Sequence, residues 1–458
     1  MTVPGRRNQL IGPRNDMVMY LPPVPPAGVQ APDWPHLIRK RHPRKHTHTH
    51  REFAEKNKRK EKDIAQNKTL RPGAKIALLS PSGRIDPEVT APLARAGTLL
   101  RSLGYTVTTI YSEEGERTPS GGGGGINPVD ASIRNCLSEL RSAFADPTVD
   151  MIFCTVGGST MTELVPYIVE DVALHALVRA NPKIVVGYSD ITVLHWCLRA
   201  LTGLRTFYGP CAALELGGEV DAAAFTPASV SSFSPSASVP EDPAEGDVYI
   251  HEFHLATLLQ AISHPGRPLG PVPRSRFYAP LIPSYFFPPP SPPPANTRAL
   301  LPSPAWTWLR PGHAEGRLFG GCLTVVSRIQ GIPRITPDWR GRILFLESAT
   351  GEGDQTEGNP LGRVQQAVAD LAARGVFDDL AGLVIGRPYG YNTGKERARC
   401  AAAFRGLLCH GRLADRKFPI LMNVDISHTS PKVTLPMDAL AVLDSDKNEF
   451  VITEAAVL

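Results

Sequence analysis

Between Lys75 and Leu201, short apolar runs closed by turn residues alternate with longer stretches whose apolar residues recur at helical spacing. Lys75-Ile-Ala-Leu-Leu ends in Ser-Pro-Ser-Gly and reads as a buried strand, with Tyr105–Tyr111, Met151–Thr155 and Lys183–Gly187 as its successors. Helices are expected between and after them, over Pro87–Leu103, Ala131–Ala145, Met161–Val169 and Ile191–Leu201. In the second of these, Ile133, Leu137, Leu140 and Phe144 fall on one face. Parallel strands need such crossovers to join them, so this rhythm specifies an α/β domain whose parallel sheet is covered on both faces. Further strand-like runs at Arg342–Leu346, Leu383–Ile385 and Ala439–Leu443, with a helix over Arg363–Ala373, mark a second domain. The expected domains are residues 71–224 and 316–458.

What lies outside them is of a different composition. Proline makes up 45 of 458 residues, about twice the usual share, and it is concentrated, with eight in residues 1–35 and nine in 276–303. Residues 1–70 also carry 15 Lys and Arg against 6 Asp and Glu, whereas the rest of the chain carries 34 against 38. A basic, Pro-rich segment cannot bury enough apolar surface to offset its ordering entropy, so 1–70 is expected to be a disordered tail. Nucleic-acid binding is expected neither of the mildly acidic body nor of the basic tail. Residues 225–315 read as a linker carrying a Pro-rich insert at 276–303, since Ser275 would join Pro304 smoothly without it. The seven scattered cysteines, several inside apolar runs, suit reduced core thiols in a cytoplasmic protein. No apolar stretch reaches the length of a membrane span.

Few residues suggest chemistry. The five glycines at 121–125 fit neither the P-loop nor the dinucleotide fingerprint and read as a flexible loop. The histidines form no metal signature, so neither a metal nor a cofactor is expected. Cys154-Thr-Val-Gly157-Gly158-Ser159-Thr160-Met161 carries a strand through two glycines into a helix. That is the layout of a nucleophile elbow, where amides at the helix start hold an oxyanion, and more often of an ordinary structural turn. Glu347 ends the apolar strand Ile343-Leu-Phe-Leu, where a carboxylate is costly unless it sits at the rim with a partner. His428, in Asp425-Ile-Ser-His-Thr-Ser-Pro, has no packing role to explain it. Imidazole and carboxylate together activate a hydroxyl; apart, each reads as a solvated loop residue.

Seven segments taken in order carry a resemblance: Lys75-Ile-Ala-Leu-Leu-Ser-Pro-Ser, Ala145-Asp-Pro-Thr-Val-Asp-Met-Ile-Phe-Cys-Thr-Val-Gly-Gly, Gly187-Tyr-Ser-Asp-Ile-Thr, Phe207-Tyr-Gly-Pro, Leu318-Phe-Gly-Gly-Cys-Leu, Ile343-Leu-Phe-Leu-Glu and Ser427-His-Thr-Ser-Pro-Lys-Val-Thr-Leu-Pro. Over residues 71–220 and 304–458 the chain resembles the serine LD-carboxypeptidase family, which includes the peptidases conferring immunity to microcin C. The resemblance implies an N-terminal parallel-sheet domain of Rossmann or flavodoxin type, a C-terminal, largely β domain of swivelling β/β/α type, a site between them, and a homodimer. It implies hydrolysis of a small peptide with an L–D linkage or of an aminoacyl conjugate, with His428 as base and Glu347 as its orienter.

The nucleophile is expected at the third position after the paired glycines, which here is Met161. A thioether has no proton to lose and cannot form an acyl-enzyme. Among the neighbouring hydroxyls, Thr160 and Thr162 included, Ser159 is the candidate substitute; otherwise the chain is a catalytically impaired relative that binds a small ligand without turnover. Gly157, Gly158, Thr162, Asp190 and Gly321 are expected around the oxyanion or substrate, with Asp190 equally placed to cap the helix beginning at Ile191.

Overall fold

The computed structural model describes residues 67–84, 87–111, 128–234, 243–283, 286, 299–351 and 354–458. The tail up to residue 66, the five-glycine loop and the middle of the Pro-rich insert lie outside them.

Five parallel strands form the N-terminal sheet: β1 (Lys75–Leu79), β2 (Thr106–Ile110), β3 (Val149–Cys154), β4 (Ile184–Gly187) and β5 (Phe207–Tyr208). Their order in space is 2-1-3-4-5, the doubly wound arrangement the sequence rhythm implies. β4 is buried along its whole length, as a strand covered on both faces must be. Between β1 and β3 the direction of winding reverses, and such a reversal opens a crevice at the carboxyl ends of the strands, where α/β proteins hold their ligands.

The second sheet is larger and mixed. It draws on β6 (Pro268–Pro271), β9 (Thr307–Arg310), β10 (His313–Cys322), β11 (Arg342–Glu347), β12 (Gly382–Gly386), β13 (Ile420–Val424), β15 (Leu440–Asp444) and β16 (Glu449–Ala455). Strands β10 to β13 run parallel at its centre, and antiparallel strands complete both edges. β14 (Leu435–Pro436) leaves this half of the chain to pair antiparallel with β5, so the C-terminal segment completes the N-terminal sheet. One continuous apolar cluster runs through both sheets, from Leu79 and Ile152 through Trp196 to Phe345 and Leu383. Within it the Trp196 indole donates to the Gly320 carbonyl at 3.0 Å. Burial pushes the thiols of Cys154 and Cys197 up to about 12, as expected of unreactive core cysteines.

Three segments differ from the sequence reading. Residues 67–70 are bound into the fold: Asn67 and Leu70 are buried, and the Asn67 carbonyl accepts from the Leu458 amide at 3.0 Å. Pro243–Ser263, read as linker, is a 21-residue helix. Its buried Tyr249, Ile250, Phe253, Leu255, Leu258 and Ile262 are spread around the axis, and a helix buried on several faces has no amphipathic stripe to reveal it. Finally, the ends of the Pro-rich insert are part of the body. β7 (Phe277–Tyr278) pairs with β8 (Leu301–Pro302), and Ala279 bridges to Ser430, two residues beyond His428.

Candidate active site

Glu347 is the last residue of β11, and its side chain is buried. His428 follows β13 in a loop that Arg387 and Asp425 brace from below: Arg387 donates to Asp425 Oδ1 at 2.7 Å, to Thr429 Oγ1 at 2.9 Å and to the Pro431 carbonyl at 3.2 Å. The two functional groups meet, with His428 Nδ1 lying 2.8 Å from Glu347 Oε2. Tyr208, at the end of β5, donates its hydroxyl to the other carboxylate oxygen at 2.7 Å. Burial on its own would raise the Glu347 carboxyl, but His428, Tyr208 and Lys432 outweigh it and hold the group below the ordinary glutamate value.

The second ring nitrogen, His428 Nε2, lies 2.9 Å from Ser189 Oγ. Ser189 occupies the turn where β4 enters the helix Thr192–Thr202, and its φ of 62° is in the left-handed region that a side chain disfavours. Strained backbone of this kind clusters at functional sites and persists where neighbours over-determine it. Here the Ser189 amide donates to Tyr208 Oη at 3.2 Å, and its carbonyl accepts from Thr192 Oγ1 at 2.6 Å. Tyr208 therefore touches both ends of a chain running Ser189, His428, Glu347. Ser189 is half-buried.

The paired glycines lie beside this turn. A Cβ on Gly157 would stand 2.8 Å from Ser189 Cβ, 3.1 Å from its Oγ and 3.6 Å from the Asp190 amide, so only glycine permits the approach. Gly158, at φ 140°, packs so tightly on Ser82 and Gly83 that a Cβ would come within 2.3 Å of the Gly83 nitrogen. Asp190 ties the two turns together. Its Oδ2 accepts from Ser82 Oγ at 2.7 Å and from the Met161 amide at 2.9 Å, while Oδ1 pairs with Arg328 at 2.7 Å.

Several expectations are corrected by this arrangement. Met161 is fully buried among core residues, while Ser159 is exposed on the turn. His428 Nδ1 is engaged by Glu347, and the hydroxyl that Nε2 reaches is that of Ser189. Thr162 buries its hydroxyl oxygen within the fold. Asp190 does not cap the helix that follows it, because the helix at Thr192 has no side-chain cap; its carboxylate accepts instead from the amide of Met161. Gly321 is buried where a Cβ would stand 2.3 Å from Thr192 Cγ2, so it serves the packing of β10 on that helix.

Comparison with known proteins follows the same division of the chain. Residues 76–209 match the LD-carboxypeptidase N-terminal domain and residues 315–443 the LD-carboxypeptidase C-terminal domain. The chain belongs to the LD-carboxypeptidase family. Among its relatives, a Vibrio cholerae protein named "Putative carboxypeptidase" is 27% identical over 385 residues, covering 84% of this chain and 96% of that one. The microcin C7 self-immunity protein MccF of Escherichia coli is 24% identical over 331 residues, 70% of this chain and 79% of its own. The solved structure of MccF in complex with glutamyl sulfamoyl guanosine superposes with a TM-score of 0.65 at 20% identity, covering 86% of this chain and 99% of that one. The LD-carboxypeptidase motif Gly187-Tyr-Ser-Asp held the missed signal, for it too is a strand end, a turn and a helix start with a hydroxyl at the bend.

Proposed function

We propose that this chain is a serine hydrolase of the LD-carboxypeptidase family with Ser189 as nucleophile, His428 as general base and Glu347 as the group that orients the imidazole. The observation that carries this reading is the unbroken set of contacts from Ser189 Oγ through His428 to Glu347, at 2.9 and 2.8 Å. In the attack on a carbonyl, Ser189 Oγ forms the new bond while its proton passes to His428 Nε2. The Glu347 carboxylate stabilises the imidazolium, which then returns the proton to the leaving amine. Water repeats the cycle on the acyl-enzyme. The oxyanion is assigned to the amide after the nucleophile, that of Asp190, and to the Gly157–Gly158 turn against which Ser189 rests. That nearness is what supports the assignment.

The substrate is assigned to the class of small peptides with an L–D linkage or aminoacyl conjugates, supported by family membership and by the ligand of the MccF structure. The alternative, a catalytically impaired relative that binds a small ligand without turnover, depends on Met161 standing at the nucleophile position; the contact of His428 with Ser189 favours the hydrolase reading over it. To test the proposal, purified protein is incubated with L,D-peptides and with an aminoacyl sulfamoyl nucleoside. Hydrolysis abolished by both Ser189→Ala and His428→Ala is expected; turnover that survives Ser189→Ala would refute it.

A further inference from the structure

Beside the Ser189 and His428 pair lies a second charged pair, one member of which, Lys432, also helps hold the Glu347 carboxyl low. Lys432 Nζ is 2.6 Å from Glu215 Oε1, and both side chains are almost completely buried. Ion pairs this deep are no more stabilising than well-packed apolar residues of the same volume, because desolvation consumes the attraction. Stability therefore does not account for this one, and its contacts point elsewhere.

Glu215 Oε1 also accepts the Tyr188 hydroxyl at 2.9 Å, while Oε2 accepts the Cys211 amide at 2.7 Å. The Lys432 ammonium sits over the Tyr188 ring, 3.3 Å from its centroid, a cation–π contact in a desolvated setting. Tyr188 is thus held at its hydroxyl and on its face. Its ring and that of His428 meet edge to face, with centroids 5.0 Å apart and planes at 63°, and its backbone leads straight into Ser189. Lys432 lies four residues beyond His428 on the same loop. The pair joins the strained turn that carries the hydroxyl to the loop that carries the base.

We propose that Glu215 and Lys432 are positioning residues: their ion pair locks Tyr188, and Tyr188 sets the spacing between Ser189 and His428. The inference rests on Ser189 being the nucleophile. A displacement of ~1 Å between reacting groups costs on the order of a hundredfold in rate, so loss of the lock slows chemistry without altering ligand contacts.

The test measures inactivation of the full chain by a fluorophosphonate probe, with the modified residue located by peptide mass mapping and melting curves recorded in parallel. Lys432→Met, Glu215→Gln and Tyr188→Phe are expected to lower the maximal inactivation rate by about 10- to 100-fold, with the probe's half-saturating concentration within about twofold of native. The double variant Glu215→Gln/Lys432→Met leaves no buried charge unpaired; it should regain thermal stability and stay slow. Native-like rates in the folded variants, or a double variant that recovers rate together with stability, overturn this inference alone. Labelling that persists in Ser189→Ala overturns the nucleophile reading and this inference with it.

Discussion

Replacing Gly157 by alanine adds one methyl group against the proposed nucleophile. The new Cβ would stand 2.8 Å from Ser189 Cβ, where ordinary van der Waals contact begins at 3.4 Å, so the two turns must separate by about 0.6 Å. Ser189 cannot yield freely, because its amide and carbonyl are bonded to Tyr208 and Thr192. The displacement falls on the 2.9 Å contact with His428 and on the oxyanion site at once. Misplacement of this size should slow acylation by about 10- to 100-fold, and overpacking should cost about 1–3 kcal/mol of stability. Gly362→Ala is the control: it lies in the helix Leu361–Ala373 with nothing within 4 Å of the added carbon, and it should gain about 0.5–1 kcal/mol from helix propensity. Fluorophosphonate labelling rates and melting curves read both effects. A folded Gly157→Ala protein that labels within about threefold of native would refute the argument that this glycine sets the approach to Ser189.

Tyr208→Phe removes a hydroxyl bonded to both Glu347 and the Ser189 amide; a hydrogen bond to a charged group is worth about 1.5–3 kcal/mol, so kcat should fall by roughly 10- to 100-fold with KM little changed, checked by steady-state kinetics. Asp438 is buried between Arg199 and Arg342, and Asp438→Asn should cost about 3–5 kcal/mol in urea unfolding by leaving those cations unpaired. Burial works to raise that carboxyl, but Arg342 and Arg199 hold it below its ordinary value of 3.8. Its contribution is therefore complete above pH 3.8 and lost as pH falls through the lower folded value, and this acid loss should be absent from the asparagine variant. Met161→Ser should create no new nucleophile and should destabilise the core by about 2–5 kcal/mol, as measured by thermal melting.

Much of the fold was legible in the chain. The strands at 75, 106, 149 and 184 and the helices between them carry strong periodic signals, because each must bury one face. Glu347 and His428 stood out for a related reason, as polar groups that their surroundings did not explain. The helix over residues 243–263 escaped notice because its apolar residues point in several directions. The ends of the Pro-rich insert escaped because composition reports an average, while Tyr278 and Ala279 are buried individually.

The proposed nucleophile shows where local pattern stops. Residues 154–161 and 187–192 are both strand, turn and helix, and both offer hydroxyls at the bend. Sequence determined that the chain would turn from strand to helix at the ends of β3 and β4, since glycine spacing and apolar runs act over a few residues. Which elbow meets the base depends on how a loop some 240 residues further on is laid against the first sheet. That docking is set by long-range packing: β14 adding to β5, Trp196 bonding Gly320, and Lys432 reaching Glu215. Only the tertiary structure turned His428 toward Ser189 and left Met161 in the core, because contacts between distant segments leave no periodic trace in either one.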